Sequence, residues 1–447
     1  MFQYKLHIIF SFCIILLIVK PDNLLYFWII FSPILSNFLS KPFFYSVFGT
    51  RLVLPTSIGM TEGFAINELF QFDRIVLLLV FSRIIFSKKY TKLKADRTDS
   101  YFIVLIFIFL ISSLFSENAL NSIRIILDTF CMYYISYYIG KNLINNNEKF
   151  SYFINSLIIL SLLLTVIGVI EPPFMLNKIT WANIDSYRIT GPFQYWESMG
   201  TILGILFFIS AYKISLKQNI FRKTFLLILI FLELICIYLT QTRTSMIAII
   251  LGTIVGGYKG RKVLPTKIVF GSTAVLTIIF IIIFYFPNII TQTNFYKHTV
   301  NRETESRVEQ YSAANKMFLD NIFFGIGFKN FVYEFENYID PNQIVHSRAG
   351  KTYLHNSYLL IGVENGIFAL VTMILLVLSI YKMIMRFNSL QLNRNEKLWG
   401  ITVLSIFTSY FVSGLAFDLF FLVSLEGKIF YMTMGITSGM VQRKSES

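Results

Sequence analysis

Long, nearly uncharged apolar blocks recur along this chain, and they leave it few ways to fold. Tyr101 to Phe115, Leu157 to Ile170, Phe225 to Leu239 and Leu276 to Phe286 are four of them. A helix crossing the hydrocarbon core of a bilayer needs about 20 predominantly apolar residues, flanks included. Of the 447 residues, 55% are hydrophobic and 14% are charged, and the mean hydropathy is +0.63. Soluble domains carry about 25% charged residues, so this composition cannot furnish the polar surface that a soluble core of this size requires. The blocks specify an all-α polytopic membrane protein.

The formal net charge of +14 has the sign that nucleic acid attracts. Here, however, the Lys and Arg residues collect in short connections between apolar blocks, where they set membrane orientation. Membrane lipids are therefore expected as partners, and nucleic acid is not. The connection with Lys88, Lys89, Lys92, Lys94 and Arg97 is read as cytoplasmic. Counting forward from it, spans are expected at Tyr101 to Phe115, Ile125 to Gly140, Ser151 to Ile170, Ser198 to Ile214, Phe225 to Thr240 and Met246 to Tyr258. Others follow at Ile268 to Phe286, Ser357 to Ile380, Leu398 to Val412 and Leu419 to Met440. Each connection that this alternation places inside is basic, and the tail carries Arg443 and Lys444.

Ahead of that anchor, Phe70 to Phe86 reads as a span, as do the short blocks Ile8 to Val19 and Leu25 to Leu39, while Lys41 to Ala65 could dip into the membrane. The first block resembles half a signal peptide, but Lys20, Pro21 and Asp22 follow it where a small-residue cleavage site would stand. An uncleaved first span is expected. The total comes to about 12 transmembrane helices, with 11 to 13 as the range. Cys13, Cys131 and Cys236 all fall within apolar stretches, so neither structural disulfides nor zinc is expected.

Two outer segments are long enough to hold chemistry: 171–197, and 287–355, which far exceeds an ordinary connection. The chain thus divides into an N-terminal transmembrane bundle (1–286), one large extracytoplasmic loop (287–355), and C-terminal helices with a cytoplasmic tail (356–447). Within the large loop, Thr304 to Leu319 reads as a short amphipathic helix with Val308, Tyr311, Ala314 and Phe318 on its apolar stripe. No internal repeat is evident.

His298, His346 and His355 fall in the large loop. His355 stands apart because Asn356 or Ser357 caps the span that follows, which fixes the imidazole at the mouth of the bundle. There it can exchange protons with a substrate hydroxyl near neutral pH. Arg188, Arg243, Arg302 and Arg307 gather on the same outer side. A guanidinium grips phosphate with a planar fork and a permanent charge. Arg243 occupies so short a turn, Gln241-Thr242-Arg243-Thr244-Ser245, that little room remains to reach bulk water. Glu364 lies roughly 13 Å deeper than His355 and near the opposite helix face, so it is assigned to packing. Gly325-Ile326-Gly327 is read as a turn in preference to a phosphate loop. Asp128, Asp418 and Glu426 are acids in or near spans, with no partner specified by the sequence. No Asp-x-Asp pair occurs, so nothing indicates a donor held through a divalent metal; no metal and no cofactor is expected.

Several short motifs resemble those of the O-antigen polymerase and O-antigen ligase family of bacterial envelope glycan enzymes. They are Arg188-x-x-Gly191-Pro192-Phe193, Thr242-Arg243-Thr244-Ser245, Ser306-Arg307 leading to Gly325-Ile326-Gly327-x-x-x-Phe331, and His355-Asn356-Ser357-Tyr358-Leu359 with Glu364-Asn365-Gly366. The resemblance covers Tyr187 to Leu376 in matching order, spacing and membrane side. It implies a multi-pass glycosyltransferase of the bacterial cytoplasmic membrane with its active face outside. The donor would be a glycan on undecaprenyl pyrophosphate, and the acceptor another glycan or lipid A core. A chain-length regulator and a flippase would be its associates. By this resemblance Arg188 and Arg243 grip the pyrophosphate with support from Arg307, and His355 acts on the acceptor hydroxyl or orients it. Arg302 and Asn356 join the substrate-binding set.

The motifs are shared by polymerases, which extend a repeat-unit chain, and by ligases, which pass a finished chain to lipid A core or protein. Polymerase is preferred on family frequency. A lipid or solute transporter is the rival class, and it would show repeats, broken spans at matching positions and charges near the midplane.

Overall fold

The computed structural model describes residues 20–36, 72–87, 93–116, 119–171, 178–181, 184–187, 189–193, 195–261, 295–339, 354–417 and 424–446. The chain is mostly helical. In order, the helices are α1 (Pro21–Ser36), α2 (Phe72–Phe86), α3 (Arg97–Ser113), α4 (Ala119–Ile126), α5 (Met132–Leu143), α6 (Asn147–Ile170) and α7 (Trp196–Ser215). They continue with α8 (Ile220–Leu239), α9 (Arg243–Gly260), α10 (Phe295–Asp320), α11 (Phe331–Glu334), α12 (Ser357–Ser389), α13 (Arg394–Ser413) and α14 (Leu425–Glu446). A two-stranded antiparallel hairpin, β1 (Lys178–Trp181) with β2 (Ile184–Tyr187), stands in the first outer segment. It pairs Lys178 with Tyr187 and Trp181 with Ile184.

Helix starts follow from short polar side chains at the connections read as cytoplasmic. Asp96 accepts from the Thr98 and Asp99 amides while Asp99 reaches back to the Asp96 amide. Asn146 caps α6, Asn219 caps α8, and Asn393 with Glu396 forms a reciprocal capping pair on α13. Each cap satisfies donors that the first helical turn leaves without a partner.

Among the described residues, three helices are long and apolar enough to cross a membrane: α6, α7 and α12. The other expected spans from Tyr101 onward that lie within described residues also coincide with helices. Two were read as straight and are not. The stretch Ile125 to Gly140 is interrupted by a π turn at Leu127–Cys131, which brings Asp128 into a buried position between α4 and α5. Such a turn carries one extra residue and shifts the helix face that follows it. The span expected to begin at Ser357 runs on to Ser389 but breaks at Gly366, as described below. The block Ile8 to Val19, the stretch Lys41 to Ala65, the span Ile268 to Phe286 and Asp418 lie outside the described residues.

The chain forms two compact units, each assembled from separated stretches. The first comprises Met1–Leu93, Ile135–Thr242 and Lys428–Ser447; the second comprises Lys94–Tyr134 and Arg243–Gly427. In the first unit, α6, α7 and α8 pack around Glu233, which is fully buried. The hydroxyls of Ser161 on α6 and Ser210 on α7 both donate to its Oε1. Three helices are thereby joined through one carboxyl oxygen. In the second unit, α9 packs against α13, with Gly252, Gly256 and Gly260 among its buried residues. A Cβ on Gly256 would collide with Ser405 Oγ. Small residues at four-residue spacing let helices approach closely where lipid offers no hydrophobic drive to pack.

Helix α10 covers the stretch read as an amphipathic helix, with a buried side set slightly off the expected stripe. It begins at Phe295, ahead of the expected Thr304, and its buried side is Gln310, Ala313, Ala314 and Met317. Val308 is 63% exposed. Of the expected stripe, Ala314 is buried and Tyr311 and Phe318 are half-buried, and α10 packs against α12 with Phe318 beside Gly362.

Candidate functional site

The second unit is organised around the helix break at Gly366, where φ is 77° and ψ is −177°. Such a φ strains any residue with a Cβ, and a Cβ here would also strike the Phe323 carbonyl. The break frees backbone groups that must be satisfied elsewhere, because an orphaned peptide group away from water is costly. The segment Asn321 to Phe331 satisfies them. The Ile367 amide donates to Ile322 O at 2.7 Å, Val363 O accepts from the Ile326 amide at 3.0 Å, and Glu364 O accepts from the Gly327 amide at 2.9 Å. Gly325, with φ of 70°, presses against the Glu364 backbone where a Cβ would not fit.

Glu364 completes this lock. It is 1% exposed. Its Oε2 accepts from the Lys329 amide at 2.9 Å and its Oε1 from the Phe331 amide at 3.2 Å. Two sequence motifs, Gly325-Ile326-Gly327-x-x-x-Phe331 and Glu364-Asn365-Gly366, are therefore halves of one backbone joint. Serines that the sequence did not single out seat the joint from the other side. Ser112 Oγ lies 2.8 Å from Glu364 O and 3.0 Å from Phe324 O. Ser122 donates to Phe328 O at 2.6 Å, and Ser116 bridges Ser122 and Asn330 Oδ1 at 2.9 and 3.0 Å. Phe328 is fully buried between Phe109 and Phe130.

Glu364→Gln keeps one acceptor oxygen and turns an amide N–H toward a backbone N–H. Leaving one buried donor unmet costs about 1–3 kcal/mol. The variant is expected to melt earlier and to exchange the 325–331 amides faster, while intact molecules keep much of their turnover. A stable, donor-binding but inactive variant would instead place Glu364 in the chemistry.

At the start of α12, Asn356 is the N-cap: its Oδ1 accepts from the Tyr358 and Leu359 amides at 3.1 and 3.0 Å. Ser357 is tied twice to the end of α13, by its amide to Gly414 O at 2.9 Å and by its hydroxyl to Phe417 O at 2.7 Å. Leu354 is fully buried. His355, half-buried, thus stands between two anchored residues on a fixed helix end.

Arg243 is the first residue of α9 and is exposed. The short turn does not enclose it as the sequence reading expected. Gln241, with φ of 54°, closes α8 and the chain enters α9 directly, so the side chain leaves from the open first turn. Arg243 opens α9 and His355 precedes α12, and both belong to the second unit. Arg307 is exposed on α10, and Arg302 is on the same helix with its side chain outside the described residues. Arg188 and His346 lie outside the described residues, and so does the side chain of His298.

Sequence reasoning missed Glu233. Its signal was present, since an acid inside an apolar span is a candidate by default, but the apolar block around it concealed it.

A mostly helical chain with helices long and apolar enough to cross a membrane is the class that this fold defines. Residues 225–374 match the family model described as O-antigen ligase. The matched segment contains Arg243, Arg307, His355 and both halves of the backbone joint. The match agrees with the resemblance that the motifs carry to the O-antigen polymerase and ligase family. No curated protein matches the chain.

Proposed function

We propose that the chain is a glycosyltransferase that polymerises undecaprenyl-pyrophosphate-linked oligosaccharide repeat units on the outer face of the bacterial cytoplasmic membrane. The observation that carries this reading is the family match over 225–374, which spans Arg243, Arg307 and His355. Departure of a pyrophosphate develops negative charge, and cations already held in place stabilise it without reorganisation. Arg188 and Arg243 take the pyrophosphate, Arg307 supports it, and His355 takes the proton of the acceptor hydroxyl or orients that hydroxyl. The α9 N-terminus adds partial positive charge beside Arg243. Arg302 and Asn356 border the bound glycan, with Asn356 Oδ1 committed to its cap. The polyprenyl tail lies among helices and the sugars lie beneath the large loop.

The family description fits a second reading equally well, ligation of the finished glycan to lipid A core or to protein. Purified protein in nanodiscs, given the pyrophosphate-linked repeat unit alone, should form ladders of longer lipid-linked glycan. Product that forms only when lipid A core is added identifies a ligase, and no product with either acceptor removes the transferase reading. Because the site rests on arginine and histidine, turnover should survive EDTA. Loss that magnesium or manganese restores would contradict the proposed electrostatics.

A further inference from the structure

In the second unit, exposed aromatic rings from the large outer loop lie against exposed rings of two helices. Phe323 and Phe324, just past the end of α10, are 62% and 49% exposed. The Phe324 ring stacks on Phe115, beyond the end of α3, with centroids 5.2 Å apart, and the Phe323 ring stacks on Phe368 of α12 at 6.2 Å. Phe115 and Phe368 are themselves 57% and 52% exposed. Phe368 heads a run of exposed apolar side chains, Phe368, Val371, Leu375 and Leu378, spaced to share one face of α12. That helix is long and apolar enough to cross a membrane, so this face is its lipid side. The polar neighbours turn elsewhere: Asp320 and Asn321 lie within hydrogen-bond reach of the Tyr338 phenol.

Two helices measure the height of these rings above the cytoplasmic side. Ser112, whose hydroxyl meets Phe324 O, is roughly 22 Å along α3 from Arg97, in a basic connection read as cytoplasmic. Phe368 is roughly 21 Å along the unbroken part of α12 from Lys382, in another such connection. The two heights agree and fall short of the roughly 30 Å of hydrocarbon in a bilayer; helix tilt only lowers them. Backbone outside a helix is tolerated at that depth only where protein satisfies it. Here Ile322 O accepts from the Ile367 amide, the Gly325 amide donates to Asn321 O at 2.9 Å, and the Ile326 and Gly327 amides donate to α12 carbonyls. We propose that Ile322, Phe323 and Phe324 lie among the acyl chains of the outer leaflet, extending the lipid side of α12 and mooring this part of the large loop in the bilayer. The sequence reading placed all of 287–355 outside the membrane. The mooring rests on α3 and α12 being spans with Arg97 and Lys382 at the cytoplasmic face, and it does not depend on glycosyl transfer.

The test uses full-length protein in nanodiscs of phosphatidylcholine whose acyl chains carry a photoreactive diazirine, with no polyprenyl lipid present. Adducts are mapped by peptide mass spectrometry. They should form on Ile322, Phe323 and Phe324 as readily as on Phe368. Hydroxyl radicals generated in water should oxidise the exposed Tyr333 and spare Phe323 and Phe324. Phe323→Asp should cut the lipid adducts on 322–324 about tenfold or more and lower Tm, because a charge is costly among acyl chains, whereas Phe323→Leu should leave both near wild type. Adducts on Phe368 with none on 322–324 overturn the mooring and leave the span intact. Absence of adducts from both overturns it together with the span reading of α12. Protection of 322–324 from both reagents overturns it by showing that protein, such as a second copy, covers the patch. A Phe323→Asp variant labelled like wild type overturns it as well.

Discussion

Purified His355→Ala should bind the pyrophosphate-linked donor nearly as well as wild type and yet fail to extend it. Removing a positioned acid or base costs about 10²- to 10⁴-fold in rate, far beyond an ordinary surface substitution. The structure makes this a clean experiment. Asn356 caps α12 through its own side chain and Ser357 is bonded to Gly414 and Phe417, so the helix start keeps its anchors when the imidazole is removed. Thermal stability, donor binding and glycan extension measured side by side separate the outcomes. If His355 only braces the loop, the variant should lose stability or yield while the surviving molecules stay active. A stable variant with near wild-type extension would remove His355 from the mechanism and leave the arginines alone to carry it.

Arg243→Lys should lose most of the activity although the charge is conserved. A guanidinium offers a planar fork of donors that matches two phosphate oxygens, whereas an ammonium is a compact point charge on a flexible stem. At the first residue of α9 the side chain is exposed and reaches outward from a fixed backbone, so geometry decides what it can grip. The loss should be about 10- to 100-fold in kcat/KM and should be larger for Arg243→Ala, in line with losing charge-assisted hydrogen bonds of about 1.5–3 kcal/mol each. Donor binding should weaken in both variants, in contrast to His355→Ala. An Arg243→Lys variant with normal donor binding and turnover would show that charge at this position suffices, and the forked contact would have to be abandoned.

What the sequence determined by itself was whatever depends on neighbours along the chain. The apolar blocks placed α3 to α9 and α12 to α14, because hydropathy is read from neighbours along the chain. The Asn356 cap and the fixed position of His355 were legible for the same reason. The resemblance to the O-antigen polymerase and ligase family was legible in short motifs whose order survives any folding. Tertiary structure decided which distant segments complete one another. The carbonyls freed at Gly366 could be satisfied by any chain that reached them, and nothing local names Ile326, Gly327 and the Ser112 hydroxyl as the groups that do. On α10, Gln310, Ala313, Ala314 and Met317 became buried while Val308 stayed exposed, which periodicity alone did not decide. Glu233 and Glu171 looked like one polar residue in an apolar span and one loop boundary until Ser161, Ser210, Thr190 and Gly191 were brought to their oxygens. Helical periodicity fixes which residues share a face, but a buried polar group is satisfied by whatever the fold delivers to it, and that delivery is a property of the packed helices together.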